Sequence, residues 1–172
     1  IDKLIQLRKQ INLSNKQNKI SLNDLFIKAI GLAQKKNPKT SMSWINGKII
    51  KYKNIDVSFA VALEDGLVMP IIKDVDKKGI LEISKESKLL IEKSINGKLK
   101  KEDYEGGTIS LSNLGMYEID EFSAIINSPQ SCILAIGSAK KEVIVVKDKM
   151  KIATVMKSTL SADHRILDGS IA

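Results

Sequence analysis

Residues 56–72, Asp56-Val57-Ser58-Phe59-Ala60-Val61-Ala62-Leu63-Glu64-Asp65-Gly66-Leu67-Val68-Met69-Pro70-Ile71-Ile72, decide the fold class. Asp56 to Leu63 reads as one strand and Leu67 to Ile72 as another, with Glu64-Asp65-Gly66 turning the chain between them. Just upstream, Ser43-Trp44-Ile45 and Lys48-Ile49-Ile50 flank Asn46-Gly47, a two-residue hairpin signal. Before that hairpin lies a helix. Ser21 is placed to cap it, with Asp24 three residues on in a capping-box arrangement. Leu22, Leu25, Phe26, Ala29, Ile30 and Ala33 then follow the helical period, and Asn37-Pro38 marks the end, because proline disfavours helical geometry in the residue before it. Asp2 to Leu13 suits an earlier helix, with Leu4, Ile5, Leu7 and Ile11 on its apolar face.

Downstream, Gly79 to Ile95 reads as a second long helix, with Ile80, Ile83, Leu90, Ile91 and Ile95 facing inward and Gly97 as its stop. Lys101 to Glu105 is a short helical turn. Gly106-Gly107 breaks the pattern before a strand over Thr108 to Ser112. Further strands are expected at Ser131 to Gly137, Glu142 to Val146 and Ile152 to Leu160, with a turn at Lys147-Asp148-Lys149. Gly169 to Ala172 suits the beginning of another helix. The order is helix, helix, strands, helix, strands. That is an α+β fold, a mixed α/β two-layer sandwich with helices on one face of a mixed, largely antiparallel sheet.

Composition sets bounds on function. At 172 residues, with 43% hydrophobic and 28% charged residues, the chain has the make-up of one globular domain. No apolar run reaches the ~18 residues of a membrane span, and no signal-peptide pattern is present. The chain starts with isoleucine, which reads as a start inside a longer protein. The net charge of +8 is almost entirely lysine. It suits a solvated surface or the attraction of an anionic ligand. Aromatics are only 4%, too few for a base-stacking platform, and no nucleic-acid-binding signature is present. Cys132, the one cysteine, sits in the apolar run Cys132-Ile133-Leu134-Ala135-Ile136 and reads as a buried, inert thiol. No Gly-Lys-Ser/Thr phosphate loop, Gly-x-Ser-x-Gly elbow or cysteine pair for zinc occurs, so a protein-held metal is not expected.

Two segments remain for chemistry. One is Ser161-Ala162-Asp163-His164-Arg165-Ile166-Leu167-Asp168-Gly169, which holds the sole histidine. An imidazole exchanges protons near neutrality, and a carboxylate stands four residues later. The residues alone leave open whether His164 is structural or a base, and whether Asp168 does more than cap the final turn. The other is Ser110-Leu111-Ser112-Asn113-Leu114-Gly115, at the end of a strand. There, hydroxyl and amide groups either stabilise the turn or donate hydrogen bonds into a cleft.

Five ordered stretches carry a family resemblance. They are Asp65-Gly66-Leu67-Val68-Met69-Pro70, Thr108 to Met116, Phe122-Ser123-Ala124-Ile125-Ile126-Asn127 with Pro129-Gln130, Cys132 to Gly137, and Asp163 to Gly169. Together they resemble the catalytic domain of the dihydrolipoyl acyltransferases of 2-oxoacid dehydrogenase complexes, most closely the acetyltransferases of pyruvate dehydrogenase complexes. The resemblance implies a chloramphenicol-acetyltransferase-like fold and acyl transfer between a lipoyl-arm thiol and coenzyme A. It implies His164 as general base, Ser112 as donor to the oxyanion, and Asp168 as organiser of the histidine loop. Asn113, Gly137 and Ser138 match positions near coenzyme A. It also implies a homotrimer with active sites between subunits, built into a cubic or dodecahedral core. The implied partners are a lipoyl domain and the pyruvate dehydrogenase and dihydrolipoyl dehydrogenase components, in bacterial cytoplasm or the mitochondrial matrix.

Residues 1–172 would then be a single acyltransferase catalytic domain, shorter than the family's at both ends. Gly115-Met116-Tyr117-Glu118 and Asn127-Ser128-Pro129 depart from the family's usual Gly-Met-Phe-Gly and Asn-Pro-Pro. A succinyl or branched-chain acyl group, or a non-catalytic scaffold, are the alternatives.

Overall fold

Helix α2 (Leu22–Lys36) starts where its capping box closes. The Ser21 hydroxyl accepts from the Asp24 amide at 3.1 Å, and the Asp24 carboxylate accepts from the Ser21 amide at 2.8 Å. In the computed structural model, which describes residues 1–172, α2 ends at Lys36 and a short 3-10 turn begins at Pro38, as the proline predicts. Helix α1 (Asp2–Ser14) buries no residue fully. It is tied down at its ends, where the Asp2 carboxylate accepts from Thr154 and the Asn12 side chain bonds Ile20 in both directions.

The sequence-expected hairpin is present as β1 (Met42–Ile45) and β2 (Lys48–Lys51), with positive φ at Asn46 and Gly47. The decisive stretch 56–72 forms not two strands but four: β3 (Val57–Phe59), β4 (Val61–Leu63), β5 (Gly66–Val68) and β6 (Ile71–Ile72). The ribbon keeps one register from Val57↔Ile72 to Leu63↔Gly66, and its ladder lapses in the middle: Pro70 has no amide to return to Phe59, and Ala60 donates across the main sheet to Leu111. Strands β4 and β5 therefore pair only with each other, as a separate hairpin.

Helix α3 (Ile80–Ile95) stops as expected. Lys98 donates to the Lys93 carbonyl, Gly97 donates to Ser94, and Gly97 has φ +62, a Schellman motif. After α4 (Lys101–Tyr104) come β7 (Ile109–Asn113), β8 (Cys132–Val146) and β9 (Lys149–Ala162). The two strands expected at Ser131–Gly137 and Glu142–Val146 are one continuous strand. A bulge between Ile136 and Ala139 lets it run through the interruption. Gly169–Ala172 forms only a single turn, closed on the Asp168 carbonyl.

The main sheet has the order β6-β3-β7-β8-β9. Its inner pairs β3–β7 and β7–β8 are parallel and its outer pairs antiparallel. With the two side hairpins, four of the six strand pairs are antiparallel.

Strand alternation gives the sheet two unlike faces. Val57, Phe59, Ile109, Leu111, Cys132 and Ile136 point to the helices, where Ile27 and Ile30 of α2 and Ile83 and Leu90 of α3 complete the core. The two helices lock through Ser87, whose hydroxyl donates to the buried Asp24 carboxylate at 2.7 Å. Their inward residues differ from the sequence expectation. Ala29 and Ala33 are exposed and Ile27 is buried; Ile91 and Ile95 are 37% and 68% exposed, while Ser84, Ser87 and Ser94 face in. Each inward hydroxyl finds an acceptor, Ser84 on the Lys19 carbonyl, Ser87 on Asp24 and Ser94 on the Leu90 carbonyl, so burial leaves none of the three unpaired. The opposite sheet face carries Ser58, Ser110, Ser112, Ala135 and Ser161. It is covered by the irregular segment 118–130, with the Ser161 hydroxyl donating to the Ala124 carbonyl at 2.7 Å.

Candidate active site

Ser112 stands near the end of β7, on this small, hydroxyl-rich face. It is half-buried and borders a cleft of about 410 Å³ whose walls include Met69, Phe122, Ile125, Ile126 and Ile133. The cleft walls are mostly apolar, with few polar groups to compete for the Ser112 hydroxyl, and a donor aimed at a developing negative charge is strengthened wherever water is excluded.

Asn113, Gly137 and Ser138 come together beside it. The Asn113 side chain donates to Asn23 at 2.9 Å and accepts from the Gly115 amide at 2.8 Å, which fixes the turn after Ser112. A Cβ on Gly115 would lie 3.0 Å from the Gly137 carbonyl, and one on Gly137 would lie 2.1 Å from the Asp120 carbonyl. Gly137 is thus required by the crossing of segment 118–120 over the β8 bulge. There Ser138 donates its amide to Ile119 at 2.7 Å. The Ser138 hydroxyl is buried without a partner in the chain, as are those of Ser41, Ser43 and Ser131.

His164 begins the turn after β9. Its ring is exposed, and no group of the chain takes a hydrogen bond from it or gives one to it. The turn itself is held firmly. Asp163 donates its amide to the Ser131 carbonyl at 2.7 Å, Leu167 is buried in the core at 1% exposure, and Leu167 and Ile166 both donate back to the Asp163 carbonyl. Arg165 forks onto the Asp163 carboxylate at 2.7 and 3.0 Å and lies over the Trp44 ring, 5.5 Å from its centroid. The guanidinium holds the Asp163 carboxyl below the usual carboxylate range. A free imidazole on a braced turn is positioned without being consumed by an internal partner.

Asp168 does not reach His164 through any hydrogen bond. Its Oδ1 accepts from the Ser170 hydroxyl at 2.7 Å and from the Ser170 and Ile171 amides, which keeps its carboxyl below the usual range. It closes the turn that follows the histidine loop. Cys132 is buried, and burial pushes its thiol up to about 11.

One chain does not bring Ser112 and His164 together. Register places Ser112 level with Ala135 on β8 and Thr159 on β9. His164 lies five residues beyond Thr159 and two strands from Ser112, on the order of 15–20 Å away at ~3.3 Å per residue and ~4.8 Å per strand. The Arg165 clamp, its Trp44 seat and the Asn23 brace were not anticipated from sequence. Asp163-x-Arg165 was a readable local pair, but nothing local links Trp44 or Asn23 to the site.

The fold resembles that of chloramphenicol acetyltransferase, with a TM-score of 0.54 at 15% identity over 95% of this chain and 77% of that one. The sequence matches the family of 2-oxoacid dehydrogenases acyltransferase (catalytic domain) over residues 1–172, and the chain belongs to that family. It is 48% identical to the dihydrolipoyllysine-residue acetyltransferase component of the pyruvate dehydrogenase complex of Rickettsia typhi, matching along 100% of its own length and 43% of that protein's. A mitochondrial counterpart from Arabidopsis thaliana is 45% identical, over 99% of this chain and 33% of that one. The chain thus spans less than half the length of these relatives. Among solved structures it superposes with a TM-score of 0.93 on the dihydrolipoamide acetyltransferase of Azotobacter vinelandii, at 28% identity over 98% of this chain and 71% of that one. That structure served to examine a serine, a histidine and an asparagine in the catalytic mechanism. The cubic core of a pyruvate dehydrogenase multienzyme complex matches equally well, with a TM-score of 0.93 at 27% identity and the same coverage.

Proposed function

We propose that this chain is the catalytic domain of a longer acetyltransferase that moves an acetyl group between coenzyme A and a lipoyl-arm thiol. His164 takes the proton from the attacking thiol, whose ordinary pKa of about 8.5 leaves little thiolate at neutrality. The thiolate adds to the thioester carbonyl, and Ser112 donates its hydroxyl hydrogen bond to the resulting oxyanion. Collapse expels the other sulfur, which recovers the proton from the imidazolium, so no covalent acyl-enzyme forms and Cys132 stays out of the reaction. Coenzyme A lies along Asn113, Gly137 and Ser138, beside the turn that the Asn113 side chain fixes. Asp168 keeps the end of the histidine loop closed.

The observation that carries this reading is an unengaged, exposed imidazole and, elsewhere in the chain, a serine lining an apolar cleft, at the sequence spacing of a studied relative's serine and histidine. The Azotobacter vinelandii serine and histidine are separated by as many residues as Ser112 and His164. The asparagine there stands four past the histidine, where this chain has Asp168. Because the two groups lie far apart within one chain, each site forms between neighbouring copies. The assembly is a homotrimer built into a cubic or dodecahedral core, served by a lipoyl domain and by pyruvate dehydrogenase and dihydrolipoyl dehydrogenase components, in bacterial cytoplasm or the mitochondrial matrix. The test is acetyl transfer from acetyl-CoA to dihydrolipoamide. His164→Ala is expected to abolish it with assembly intact, and full activity in that variant ends the reading. Preference for succinyl-CoA or a branched-chain acyl-CoA would overturn the acetyl assignment.

A further inference from the structure

The geometry points to Gln130 as the positioning residue for Ser112, acting through a buried network on the cleft face of the sheet. Gln130 is 2% exposed, and its amide is nearly saturated. The orientation of the amide is fixed, because the Gly106 carbonyl can only accept: Nε2 donates to it at 3.0 Å and to the Ser58 hydroxyl at 2.7 Å, while Oε1 accepts from the Ser110 hydroxyl at 2.5 Å. Ser58 and Ser110 are both 0% exposed and are direct cross-strand partners on β3 and β7. Ser110 precedes Ser112 by two residues, so the two hydroxyls share one face of one strand. The amide therefore pins the backbone of β7 one side-chain step from the proposed oxyanion donor.

Space for this hub is built into the chain. A Cβ at Gly107 would lie 2.4 Å from both Gln130 Nε2 and Ser58 Oγ, and Gly107 has φ +83. Thus Gly106-Gly107, which in sequence only interrupts the pattern before β7, supplies an acceptor and a vacancy for the glutamine. The network also reaches the histidine loop. Gln130 forms a bridge with Ser43, next to the Trp44 that seats Arg165, and its neighbour Ser131 gives its carbonyl to the Asp163 amide. One residue pair, 130–131, is thereby joined to the strand of Ser112 and to the turn of His164.

A second buried network supplies the contrast. Thr108, Gln34 and the Thr40 carbonyl are linked at 2.7 and 2.8 Å, and they tie α2 to the sheet on its other face. A fully satisfied buried polar network rigidifies its surroundings where an apolar cluster of equal volume would let them slide. On the cleft face, the group that most needs such rigidity is the Ser112 hydroxyl, since an oxyanion donor displaced by about 1 Å loses roughly 10²-fold in rate.

This inference rests on the proposed role of Ser112, and a double-mutant cycle separates the two. The assay is acetyl transfer to dihydrolipoamide by the assembled protein, with kcat and KM for acetyl-CoA measured separately. Ser110→Ala removes one bond of the hub and almost no volume; Gln130→Leu removes the hub entirely. Each is expected to lower kcat about tenfold or more and to leave KM within about twofold, the signature of a contact realised in the transition state. In a Ser112→Ala background the same changes are expected to cost less than about twofold, because the group they position is gone. Ser87→Ala, which breaks a buried hydroxyl–carboxylate bond between α2 and α3, serves as the control for destabilisation alone and is expected to leave kcat unchanged. Equal losses from Ser110→Ala with and without Ser112, or no loss at all, overturn the positioning role. A Ser112→Ala enzyme that is fully active instead overturns the reading of the site on which it stands. Should Gln130→Leu fail to fold, Ser110→Ala decides alone.

Discussion

Leu167→Ala tests how the histidine loop is held. Leu167 lies three residues past His164, is 1% exposed, and belongs to the main core beneath the helices. Truncation removes three carbons from water-free surroundings, about 2.4 kcal/mol at ~0.8 kcal/mol per methylene. The void left behind adds roughly 1 kcal/mol, since the flanking turn cannot collapse into it without breaking the Asp163 bonds to Ile166 and Leu167. The expected loss is therefore about 3–4 kcal/mol, read as a lowered urea midpoint at one fixed protein concentration, because assembly makes midpoints concentration-dependent. Leu90→Ala in α3 is the matched comparison: 4% exposed, in the same core cluster, and on a different element. Both variants should lose similar stability, and only Leu167→Ala should lower kcat for acetyl transfer, by about tenfold or more. A stability loss under about 1 kcal/mol would mean that Leu167 does not anchor the loop. Equal kcat in the two variants would mean that the anchor does not matter to the reaction.

Three further outcomes follow from single residues. Gly107→Ala should destabilise the chain by about 2 kcal/mol or more, since it combines a positive φ with a Cβ driven into Gln130 and Ser58; a thermal melt within 1–2 °C of the parent would contradict this. Cys132 should resist Ellman's reagent at pH 8 in the native protein and react at once in urea, because burial holds its thiol at about 11; rapid native labelling would refute its burial. Asp163 has a carboxyl lowered by Arg165, so its contribution to stability is complete above its unfolded value near 3.9 and is lost as pH falls below that toward its folded value. Arg165 is 62% exposed, which keeps the contribution small. Asp163→Asn should flatten the fall in urea midpoint between about pH 5 and pH 2, and an unchanged slope would show that the pair carries no pH-dependent stability.

The elements with local signals were legible in the sequence. Ser21 and Asp24 mark the start of α2, Asn46-Gly47 the first hairpin and Gly97 the end of α3; in each case the deciding contacts span only a few residues. What failed depended on distant partners. Nothing local shows that Ala60 will donate across the sheet to Leu111, or that Ile91 and Ile95 will face out while Ser87 turns in to meet Asp24. The β8 strand runs through the expected break at residues 138–141 because its long partner β9 carries it across. In the site, residue type and motif singled out Ser112, His164 and Asp168. Their supports at Asn23, Trp44 and Gln130 lie 90, 121 and 20 residues from the groups they touch, and only folding reveals them.

The central claim is that Ser112 and His164 act together from different copies of the chain. Mixing tests it directly. Ser112→Ala and His164→Ala proteins, each nearly inactive alone, are denatured together at equal ratio and refolded into mixed assemblies. Where the site is shared between copies, about one quarter of interfaces pair an intact serine with an intact histidine, and acetyl transfer should return to about a quarter of the parent rate. Mixed assemblies with no more activity than the two variants assayed separately would contradict the shared site.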